Sequence, residues 1–558
     1  MSRILGFKKI VGGNYLAELV YRTIGELVEE KALLYPNREA LVYADRNFRL
    51  TYSQFNRHAD EVAKALMAIG LDKGDHFAVW TTNVPQWPGL QFGSGKMGAP
   101  LVTVNTNYRT AELEYLLEQS DSRAIILMDQ LRDYSFIDTL YEICPELKTC
   151  EPGKLESERL PLLKTVVVIS EKKYPGTFTY EEFLSNGQKI TDEQLIQRKN
   201  SLSYDDVINI QYTSGTTGFP KGVMLSHFNL INNAINIAEC MKLTYEDKLC
   251  IPVPFFHCFG CVIGTLAIVS AGGTMVPVQE FNAAEVLRTV EKEKCTALHG
   301  VPTMFINELN LPNIQDYDLS SLRTGVMAGS ICPIEVLKGV MNRMGMKDIT
   351  ICYGQTETSP VLTQTRTNDP IHLKVETVGR ALPNVEVKIM EPGTNNEVPP
   401  GVQGEICARG YVVMKGYYKN PDATQEAIDE NNWLHTGDLG TMDENGYVQI
   451  TGRLKDMFIR GGENIYPREI EEFLYKHPKV MDVQVAGVPD VKYGEEAAAW
   501  IILKDGQTAT EEEIKAYCNG KISRHKIPRY IYFVDHYPMT ASGKIQKFKL
   551  KEQFKSYI

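Results

Sequence analysis

The chain has 558 residues, of which 43% are hydrophobic and 23% charged, a composition typical of a globular protein with several domain-sized units. Its net charge of −11 argues against nucleic acid as the main partner, because nucleic-acid binding favours a basic face. A polyanionic ligand would therefore be held by local positive groups rather than by the field of the whole protein. Eleven cysteines in a long chain without a secretory leader are typical of reduced intracellular thiols.

Residues 249–279 contain no Asp, Glu, Lys or Arg and raise the question of a membrane segment. Pro252, Pro254 and Pro277 interrupt this stretch, so it predicts a strand, a loop and a short buried helix at about Cys261–Ser270. Such a helix is too short to cross a bilayer. The basic N-terminus lacks the long apolar run of a signal peptide. We expect a cytoplasmic protein, with the mitochondrial matrix as the alternative, and no transmembrane segment.

Helical and strand-like patterns alternate along the chain, which predicts an α/β fold with wound sheets and crossover helices. The predicted strands are Phe77–Thr81, Leu101–Val104, Ala124–Leu127, Thr165–Ile169 and Val207–Tyr212. The predicted helices are Thr23–Leu34, Tyr52–Ile69, Thr110–Gln119 and Ala283–Lys292.

The pattern changes near residue 450, where a charged connection, residues 452–456, precedes a segment of about 100 residues that is large enough to fold alone. We expect a large N-terminal domain with several subdomains at 1–452, a connection at 453–456 and a small α+β C-terminal domain at 457–558. The elements predicted in the last part are Arg468–His477 and Glu511–Ser523 as helices, and Val480–Val488, Ala497–Leu503 and Tyr530–Val534 as strands.

One stretch, residues 212–222, has the composition of a phosphate-binding loop. It reads Tyr-Thr-Ser-Gly-Thr-Thr-Gly-Phe-Pro-Lys-Gly, so small residues, hydroxyls and the positive charge of Lys221 come together. Lys221 is followed by Gly222 rather than by Ser or Thr, which excludes a Walker-type loop that opens into a helix. We expect a loop between two strands, with a plain surface turn as the alternative.

Cys258-Phe-Gly-Cys261 has the spacing of a redox or metal-binding pair. It lies inside an apolar run and has no second pair at zinc spacing, which favours two buried small hydrophobes.

Several further stretches combine small and polar residues. Met327–Ser330 leaves backbone room for a planar ligand, and Tyr353–Glu357 combines an aromatic face with a carboxylate. Trp433–Asp438 ends in an Asp after a Gly turn, a suitable acceptor for a vicinal diol. Each of these motifs alone is weak evidence for a ligand site, but their order along the chain strengthens that interpretation.

The set of motifs resembles that of the adenylate-forming enzymes. Within that superfamily the chain is most similar to AMP-forming acyl-CoA synthetases of the medium-chain fatty-acid type, from about residue 20 onward. The motifs that carry the resemblance are residues 213–222, 353–357, 436–438, 452–456, 461–467 and 542–544.

The resemblance implies a reaction in two halves. A carboxylate attacks the α-phosphate of Mg·ATP to give an acyl-adenylate and pyrophosphate, and coenzyme A then displaces AMP. The implied cofactor is Mg²⁺ held by Glu357, the implied catalytic groups are Lys544, Thr356, Glu357 and His257, and ATP and CoA are co-substrates. The ATP site implied by the motifs comprises Thr213, Ser214, Gly215, Thr216, Thr217, Gly218, Lys221, Gly329, Ser330, Tyr353, Gly354, Gln355, Thr356, Asp438, Arg453 and Lys544.

The resemblance also places the acyl group and the thiol. A lone His in an apolar run is more often a satisfied core residue, but the resemblance favours His257 as a gate on the acyl site. The implied hinge is Lys455, around which the small domain rotates. The implied acyl pocket is Phe256, His257, Cys258, Cys261, Val301, Met327, Ala328 and Gly329, and the implied CoA contacts are Gly461, Gly462, Glu463 and Arg524.

Other functions stay open at this stage. The alternatives are an adenylation enzyme that loads a carrier protein, a benzoate or alicyclic-acid CoA ligase, an enzyme with a luciferase-like oxidative step, and a nucleotide-binding scaffold. Lys544 and Glu357 together argue against a scaffold. The reaction can run in either direction, because thioester and phosphoanhydride energies are similar. A homo-oligomer is also open.

Overall fold

The computed structural model describes residues 9–11, 14–16, 18–213, 220–330, 332–460, 463–539 and 545–554. The chain divides into two compact units. The first unit takes in residues 1–375, 379–386 and 408–434, and the second takes in residues 376–378, 387–407 and 435–558. The predicted boundary at 453–456 stays a prediction.

The described ranges contain α-helices throughout their length. They are α1 Ile24–Leu34, α2 Tyr52–Ala68, α3 Gln86–Met97, α4 Thr110–Gln119, α5 Phe136–Ile143, α6 Tyr180–Asn186, α7 Asp192–Asn200, α8 His227–Met241, α9 Ala267–Ala271, α10 Ala283–Glu293, α11 Pro302–Leu309, α12 Ile334–Arg343, α13 Ile371–Glu376, α14 Pro421–Ala427, α15 Pro467–Leu474, α16 Glu511–Cys518 and α17 Lys547–Phe554.

The strands of the described ranges are short for the most part. They are β1 Lys9–Val11, β2 Asn14–Leu16, β3 Glu39–Tyr43, β4 Phe48–Thr51, β5 Phe77–Trp80, β6 Leu101–Thr103, β7 Ala124–Met128, β8 Gln130–Leu131, β9 Tyr134–Ser135, β10 Thr165–Ile169, β11 Phe178–Thr179, β12 Val207–Thr213, β13 Lys221–Ser226, β14 Lys248–Ile251, β15 Thr274–Pro277, β16 Ala297–Leu298, β17 Val326–Met327, β18 Thr350–Tyr353, β19 Thr363–Gln364, β20 Arg380–Ala381, β21 Val385–Met390, β22 Gly404–Gly410, β23 Gly416–Tyr417, β24 Leu434–Met442, β25 Val448–Arg453, β26 Phe458–Arg460, β27 Glu463–Ile465, β28 Val480–Asp490, β29 Gly494–Leu503 and β30 Tyr530–Phe533.

Among the described residues, the first unit contains three sheets of four or more strands, one of them the four-stranded sheet β17-β18-β19-β20. Its eight-stranded sheet has the order β11-β10-β7-β5-β6-β12-β13-β23, and its five-stranded sheet the order β16-β14-β15-β3-β4. The strands from β10 to β12 in the larger sheet run parallel, and β13 and β23 close its edge antiparallel. Parallel strands need crossover helices and are buried on both faces, which explains their continuous apolar runs. The predicted α/β class is confirmed.

The second unit contains two sheets of largely antiparallel strands. One has the order β21-β22-β24-β25, and the other the order β27-β26-β29-β28 with β30 added parallel to β29. Helix α15 packs on β28, and its residues Ile470 and Leu474 join a core with Val483 and Ile501. Residues after 457 thus form an α+β arrangement, and the domain bounds at 457–558 stay a prediction.

Helix starts agree with the sequence where a capping residue marks them. The side chains of Thr23 and Thr51 each accept a hydrogen bond from the N3 backbone N–H of α1 and α2. In turn, the side chains of Glu26 and Gln54 accept a hydrogen bond from the backbone N–H of the cap residue. Such caps satisfy backbone donors that a helix start leaves open.

Two predicted helices need correction. The segment predicted as Cys261–Ser270 begins at Phe259 as a π-helix that runs to Leu266, and only α9 continues as an α-helix. The helix predicted to run to Ser523 ends at Cys518, because Gly520 adopts φ +74° and stops it. Among the described residues, no helix has the length and apolar character needed to cross a membrane.

Candidate active site

Strands β12 and β13 hold the ends of the predicted phosphate loop. They pair antiparallel with Thr213 opposite Lys221 and Tyr212 opposite Gly222. A side chain at Gly222 would lie 3.0 Å from Ile210 and 3.2 Å from Tyr212, so the strand end packs tightly. The loop residues Ser214, Gly215, Thr216, Thr217 and Gly218 lie outside the described residues. Thr213 and Lys221 therefore face each other across the base of a loop between two strands, as the sequence predicts.

One tyrosine, Tyr417, contacts both the carboxylate of Glu357 and the side chain of Lys221. Tyr417 donates a hydrogen bond from its hydroxyl to Oε1 of Glu357 at 2.9 Å, and the Nζ of Lys221 lies 4.1 Å from the centre of the Tyr417 ring. Glu357 and Tyr417 are both buried. Burial, followed by the charge of Glu357, raises the pKa of Tyr417, so its hydroxyl stays a neutral donor.

Thr356 and Glu357 follow β18 on a single turn of 3₁₀-helix, Thr356–Thr358. The strand and the turn are joined by Gly354, where a Cβ would come within 2.0 Å of the carbonyl oxygen of Pro360. Only glycine fits at that point, which explains its place in the Tyr-Gly-Gln-Thr-Glu motif. Tyr353 and Thr356 are buried, with exposed fractions of 8% each, while Gly354 and Gln355 are half-buried.

One of the predicted acyl-pocket residues, Cys258, lies next to Thr356. The Sγ of Cys258 is 3.8 Å from Oγ1 of Thr356, and the Nδ1 of the half-buried His257 accepts a hydrogen bond from the backbone N–H of Phe259 at 3.1 Å. The π-helix starts directly after Cys258. π-helical turns are rare and often occur at functional sites, so this segment is a candidate wall for a ligand.

Cys261 lies inside the π-helix and is buried. Its Sγ accepts a hydrogen bond from Nε2 of Gln211 on β12 at 3.0 Å, and burial raises the pKa of its thiol well above the usual range. Gln91 donates to its carbonyl oxygen at 2.7 Å. All eleven cysteines are free. Cys258 and Cys261 behave as the buried small hydrophobes that their setting predicts.

The Met327–Ser330 stretch starts beside Gly300, which forms an isolated β-bridge with Met327. Gly329 has φ +92°, a conformation that favours glycine, and a Cβ there would lie 3.1 Å from Val301. Gly329 and Ser330 are exposed, whereas Ala328 and Val301 are buried. Met327 belongs to the apolar core around Leu298 and Ile351, so its side chain supports the sheet rather than the exposed stretch.

The second unit carries Asp438 and Arg453 opposite each other on β24 and β25. Nε of Arg453 donates to Oδ1 of Asp438 at 2.7 Å, while the Asp438 backbone N–H donates to Oγ1 of Thr436. Gly437 adopts φ +71° between them. The acidic side chain is therefore buried beside an exposed guanidinium.

Three further side chains hold this turn in place. Oε1 of Glu405 accepts from the Gly437 backbone N–H at 2.9 Å, and Oε2 lies 2.8 Å from Nδ1 of His435. The Sγ of Cys407 lies 3.5 Å from the same nitrogen. A thiol, an imidazole and a carboxylate can together hold a metal ion, and their ligand atoms lie within 4.8 Å of one another. Both oxygens of Glu405 already have partners, so we assign this cluster to support of the turn.

The remaining predicted residues divide between exposed positions and positions outside the described ranges. Lys455 lies exposed in the turn at residues 454–456, and Arg524 lies exposed on a 3₁₀-helix, Arg524–Lys526. Gly461, Gly462 and Lys544 lie outside the described residues, and Glu463 starts β27 with its side chain outside them. Phe256 is buried.

Sequence reasoning missed two functional candidates, Tyr417 and Glu405. Tyr417 lies in a Gly-Tyr-Tyr-Lys run that has the look of an ordinary strand, and Glu405 in an apolar strand. A lone carboxylate in the apolar run Gly404–Ala408 is the one signal that could have marked Glu405, because charged groups are rarely buried without a partner.

Family models match both parts of the chain. The model described as "AMP-binding enzyme" matches residues 28–418, and the model described as "AMP-binding enzyme C-terminal domain" matches residues 469–544. The fold and these matches define the class of the protein, which is that of AMP-binding enzymes.

Relatives extend over nearly the whole chain. It is 63% identical to the "Putative acyl-CoA synthetase YngI" of Bacillus subtilis (strain 168), over 96% of this chain and 98% of the relative. It is 43% identical to the mitochondrial medium-chain acyl-CoA ligase ACSF2 of Rattus norvegicus, over 99% of this chain and 91% of that one. The chain therefore belongs to the acyl-CoA synthetases of the AMP-binding enzyme family.

Solved structures share this architecture. The anthranilate CoA ligase AuaEII in complex with anthranoyl-AMP has a TM-score of 0.83 at 27% identity, covering 97% of this chain and 98% of that one. ATP-bound MatB from Rhodopseudomonas palustris has a TM-score of 0.80 at 27% identity, covering 96% and 100%.

Proposed function

We propose that this chain activates a short- or medium-chain apolar carboxylic acid with ATP and transfers the acyl group to coenzyme A. The observation that carries the proposal is the pair of opposite charges, Lys221 and Glu357, that lie on two sides of Tyr417 beside the phosphate-loop strands. A cation for phosphate oxygens and a carboxylate for a divalent cation are what Mg·ATP requires.

In the first half-reaction the carboxylate oxygen of the acid forms a bond to the α-phosphorus of ATP. The bond from that phosphorus to the bridging oxygen breaks, and pyrophosphate leaves. We assign Lys221 and the 213–218 segment to the β- and γ-phosphates, and Lys544 to the oxygens that meet at the α-phosphorus. Two anions come together in this step, so positive groups supply much of the stabilisation.

In the second half-reaction the thiol sulfur of coenzyme A forms a bond to the acyl carbon, AMP leaves, and the thiol proton is lost to solvent. We assign the ribose hydroxyls to Asp438, whose buried carboxylate accepts a hydrogen bond from Arg453 and whose backbone N–H donates to Thr436. Tyr353, Ala328 and Gly329 are assigned to the adenine and the adjoining pocket. Gly461, Gly462, Glu463 and Arg524 are assigned to coenzyme A.

Glu357 fits the Mg²⁺ that the family implies. Its carboxylate is buried, the hydroxyl of Tyr417 donates to Oε1, and carboxylate oxygens are ligands that suit a hard cation. With Thr356 beside it, this set supplies the oxygen ligands that Mg²⁺ prefers. When bound, Mg²⁺ would neutralise phosphate charge.

The acyl substrate follows from the residues assigned to the pocket. Phe256, Cys258, Cys261 and Val301 are buried and carry no fixed charge. An amino-acid substrate would need an acidic partner for its ammonium group, so we expect an apolar acid. His257 is assigned to the entrance of this pocket.

Acid-dependent exchange between ATP and labelled pyrophosphate tests the first half-reaction. We expect exchange with saturated acids from acetate to dodecanoate to peak at medium chain length and to exceed that with benzoate and cyclohexane carboxylate. A maximum with an aromatic acid would overturn the substrate assignment.

The second half-reaction is tested by AMP release. We expect release that depends on coenzyme A and is matched by acyl-CoA formation. Exchange without CoA-dependent release would instead favour an adenylation enzyme that loads a carrier protein.

A further inference from the structure

We propose that Tyr417 is a positioning residue of the ATP site, which keeps Lys221 and Glu357 apart and holds Glu357 in the orientation that receives Mg²⁺. The inference rests on the proposed function and deepens it, because it assigns a role to a residue outside the motifs that define the site.

The backbone of Tyr417 is fixed against the strand that carries Lys221. Strand β23 pairs with β13, with Tyr417 opposite Val223, and the N–H of Tyr418 donates to the carbonyl of Gly222 at 2.7 Å. The N–H of Tyr417 donates to Oγ1 of Thr424 at 2.9 Å. The Tyr417 ring is therefore anchored next to Gly222, one residue after Lys221.

The side chain of Tyr417 uses two different surfaces. Its ring face receives the ammonium group of Lys221 at 4.1 Å, a cation–π distance, and its hydroxyl donates to Glu357. The hydroxyl therefore serves the carboxylate of Glu357, while the ring face stays available to the ammonium group of Lys221.

The ring also separates two charges that would otherwise attract each other. In the described part of the chain, Lys221 and Glu357 form no direct ion pair and meet only through Tyr417. A direct pair would neutralise the ammonium needed for phosphate and occupy the carboxylate needed for a cation. The ring keeps both charges available.

The hydroxyl fixes the carboxylate itself. A carboxylate that ligates a metal is commonly oriented by a hydrogen bond to one of its oxygens, and loss of such a partner typically costs about 10- to 100-fold in metal affinity or activity. The bond from Tyr417 to Oε1 has this form.

The test compares Tyr417→Phe with the control Tyr418→Phe. Tyr418 is the neighbouring residue, its hydroxyl donates to Asp121 at 2.8 Å, and it has no role in the proposed site. The first readout is equilibrium binding of α,β-methylene-ATP at increasing MgCl₂. We expect Tyr417→Phe to raise the half-saturating Mg²⁺ concentration about tenfold or more, and Tyr418→Phe to leave it unchanged.

The second readout separates positioning from a general structural defect. Thioester formation from a supplied acyl-adenylate involves no ATP, so we expect Tyr417→Phe to leave its rate and the melting temperature near wild type. Loss of both half-reactions together, or a Mg²⁺ dependence equal to that of wild type, would overturn the proposal. Wild-type protein without any acid-dependent exchange would instead overturn the proposed function.

A further variant tests the role of the ring as a spacer. Tyr417→Leu removes the ring and allows Lys221 to approach Glu357 directly. We expect it to weaken α,β-methylene-ATP binding even at saturating Mg²⁺, whereas Tyr417→Phe retains the ring and recovers most affinity there. Equal affinity of the two variants at saturating Mg²⁺ would remove the spacer role.

Discussion

At the scale of single residues, Glu308 stands out as a carboxyl group inside an apolar core. It lies on α11, it is 1% exposed, and neither carboxyl oxygen has a hydrogen-bond partner among the described residues. Burial raises its pKa well above the usual range, so the group is held in its neutral form. No role in the proposed reaction requires it.

We predict that Glu308→Met stabilises the protein. Methionine fills a similar unbranched space and removes an unsatisfied polar group, a change worth about 1–3 kcal/mol. A carboxyl with a raised folded-state pKa loses stability as pH rises above its unfolded value, so the advantage of methionine should grow from pH 5 to pH 8. Urea unfolding at both pH values measures it.

The control is Glu335→Met on α12. The side chain of Glu335 is 80% exposed and pairs with Lys338, so we expect a change within about 0.5 kcal/mol at either pH. A destabilised Glu308→Met protein would mean that the carboxyl serves the core in a way that its lack of partners conceals.

Candidate residues in motifs of distinctive composition could be selected from the sequence, whereas candidates brought in by strand register could not. Glu357 and Asp438 stand in motifs whose composition suggests their chemistry. Tyr417 and Glu405 act by contacting residues far away in sequence, since Glu405 reaches Gly437 and Tyr417 reaches Glu357. Such pairs depend on strand register, which local composition does not define.

At the scale of elements, the π-helix Phe259–Leu266 is the segment on which the proposed acyl pocket depends. Its second residue, Gly260, lies where a Cβ would come within 2.2 Å of the carbonyl oxygen of Pro254. Its sixth, Gly264, would place a Cβ 3.0 Å from the side chain of Ile251, which has freedom to move. These two glycines form a matched pair on one element.

We predict that Gly260→Ala lowers acid-dependent exchange at least tenfold, while Gly264→Ala keeps most of it. In the first variant a backbone oxygen blocks the new methyl group, so the helix start next to Cys258 has to move. In the second, an isoleucine side chain can adjust. Exchange rates over the acid series measure both, and equal losses in the two variants would contradict the assigned importance of the helix start.

Some helices could be predicted from the sequence and others could not. Helices α1, α2 and α4 combine clear periodicity with a capped start, and their predicted bounds agree with the structure within a residue or two. The π-helix could not be predicted, because its hydrogen-bond pattern depends on tertiary packing rather than on periodicity. Helix α8 was missed because four Asn and one His interrupt its apolar pattern.

At the scale of the whole molecule, two buried histidines link stability to pH. Burial lowers the pKa of His227 to about 3 and that of His299 to about 4. In the unfolded chain both would titrate near 6.5. The unfolded state therefore takes up protons that the folded state refuses, and stability falls as pH drops below about 6.5.

We predict a loss of about 1.4 kcal/mol per histidine between pH 7.5 and pH 5.5. In His299→Gln the loss of unfolding free energy between the two pH values should be smaller by about 1.4 kcal/mol, the contribution of one histidine. Glutamine can donate and accept a hydrogen bond without titrating. His372→Gln, at an exposed position on α13, is the control and should leave the pH dependence unchanged. Unfolding free energies at the two pH values decide, and an unchanged slope in His299→Gln would contradict the assignment.

The two proposed half-reactions require the protein to alternate between a conformation for adenylation and a conformation for thioester formation. If Lys544 serves adenylation alone, Lys544→Ala should reduce acid-dependent exchange by at least about 100-fold and largely spare thioester formation from a supplied acyl-adenylate. If Lys455 is the hinge, Lys455→Pro should do the reverse, since proline fixes φ and removes a donor at the exposed turn of residues 454–456.

The two variants test each other. A Lys544→Ala protein that melts like wild type and loses both half-reactions would show that the lysine does not leave the site between them. A Lys455→Pro protein with full thioesterification would remove residue 455 as the hinge. The proposal requires opposite losses in the two variants, each confined to one half-reaction. The reason is that the protein then releases pyrophosphate in one conformation and binds the thiol in the other.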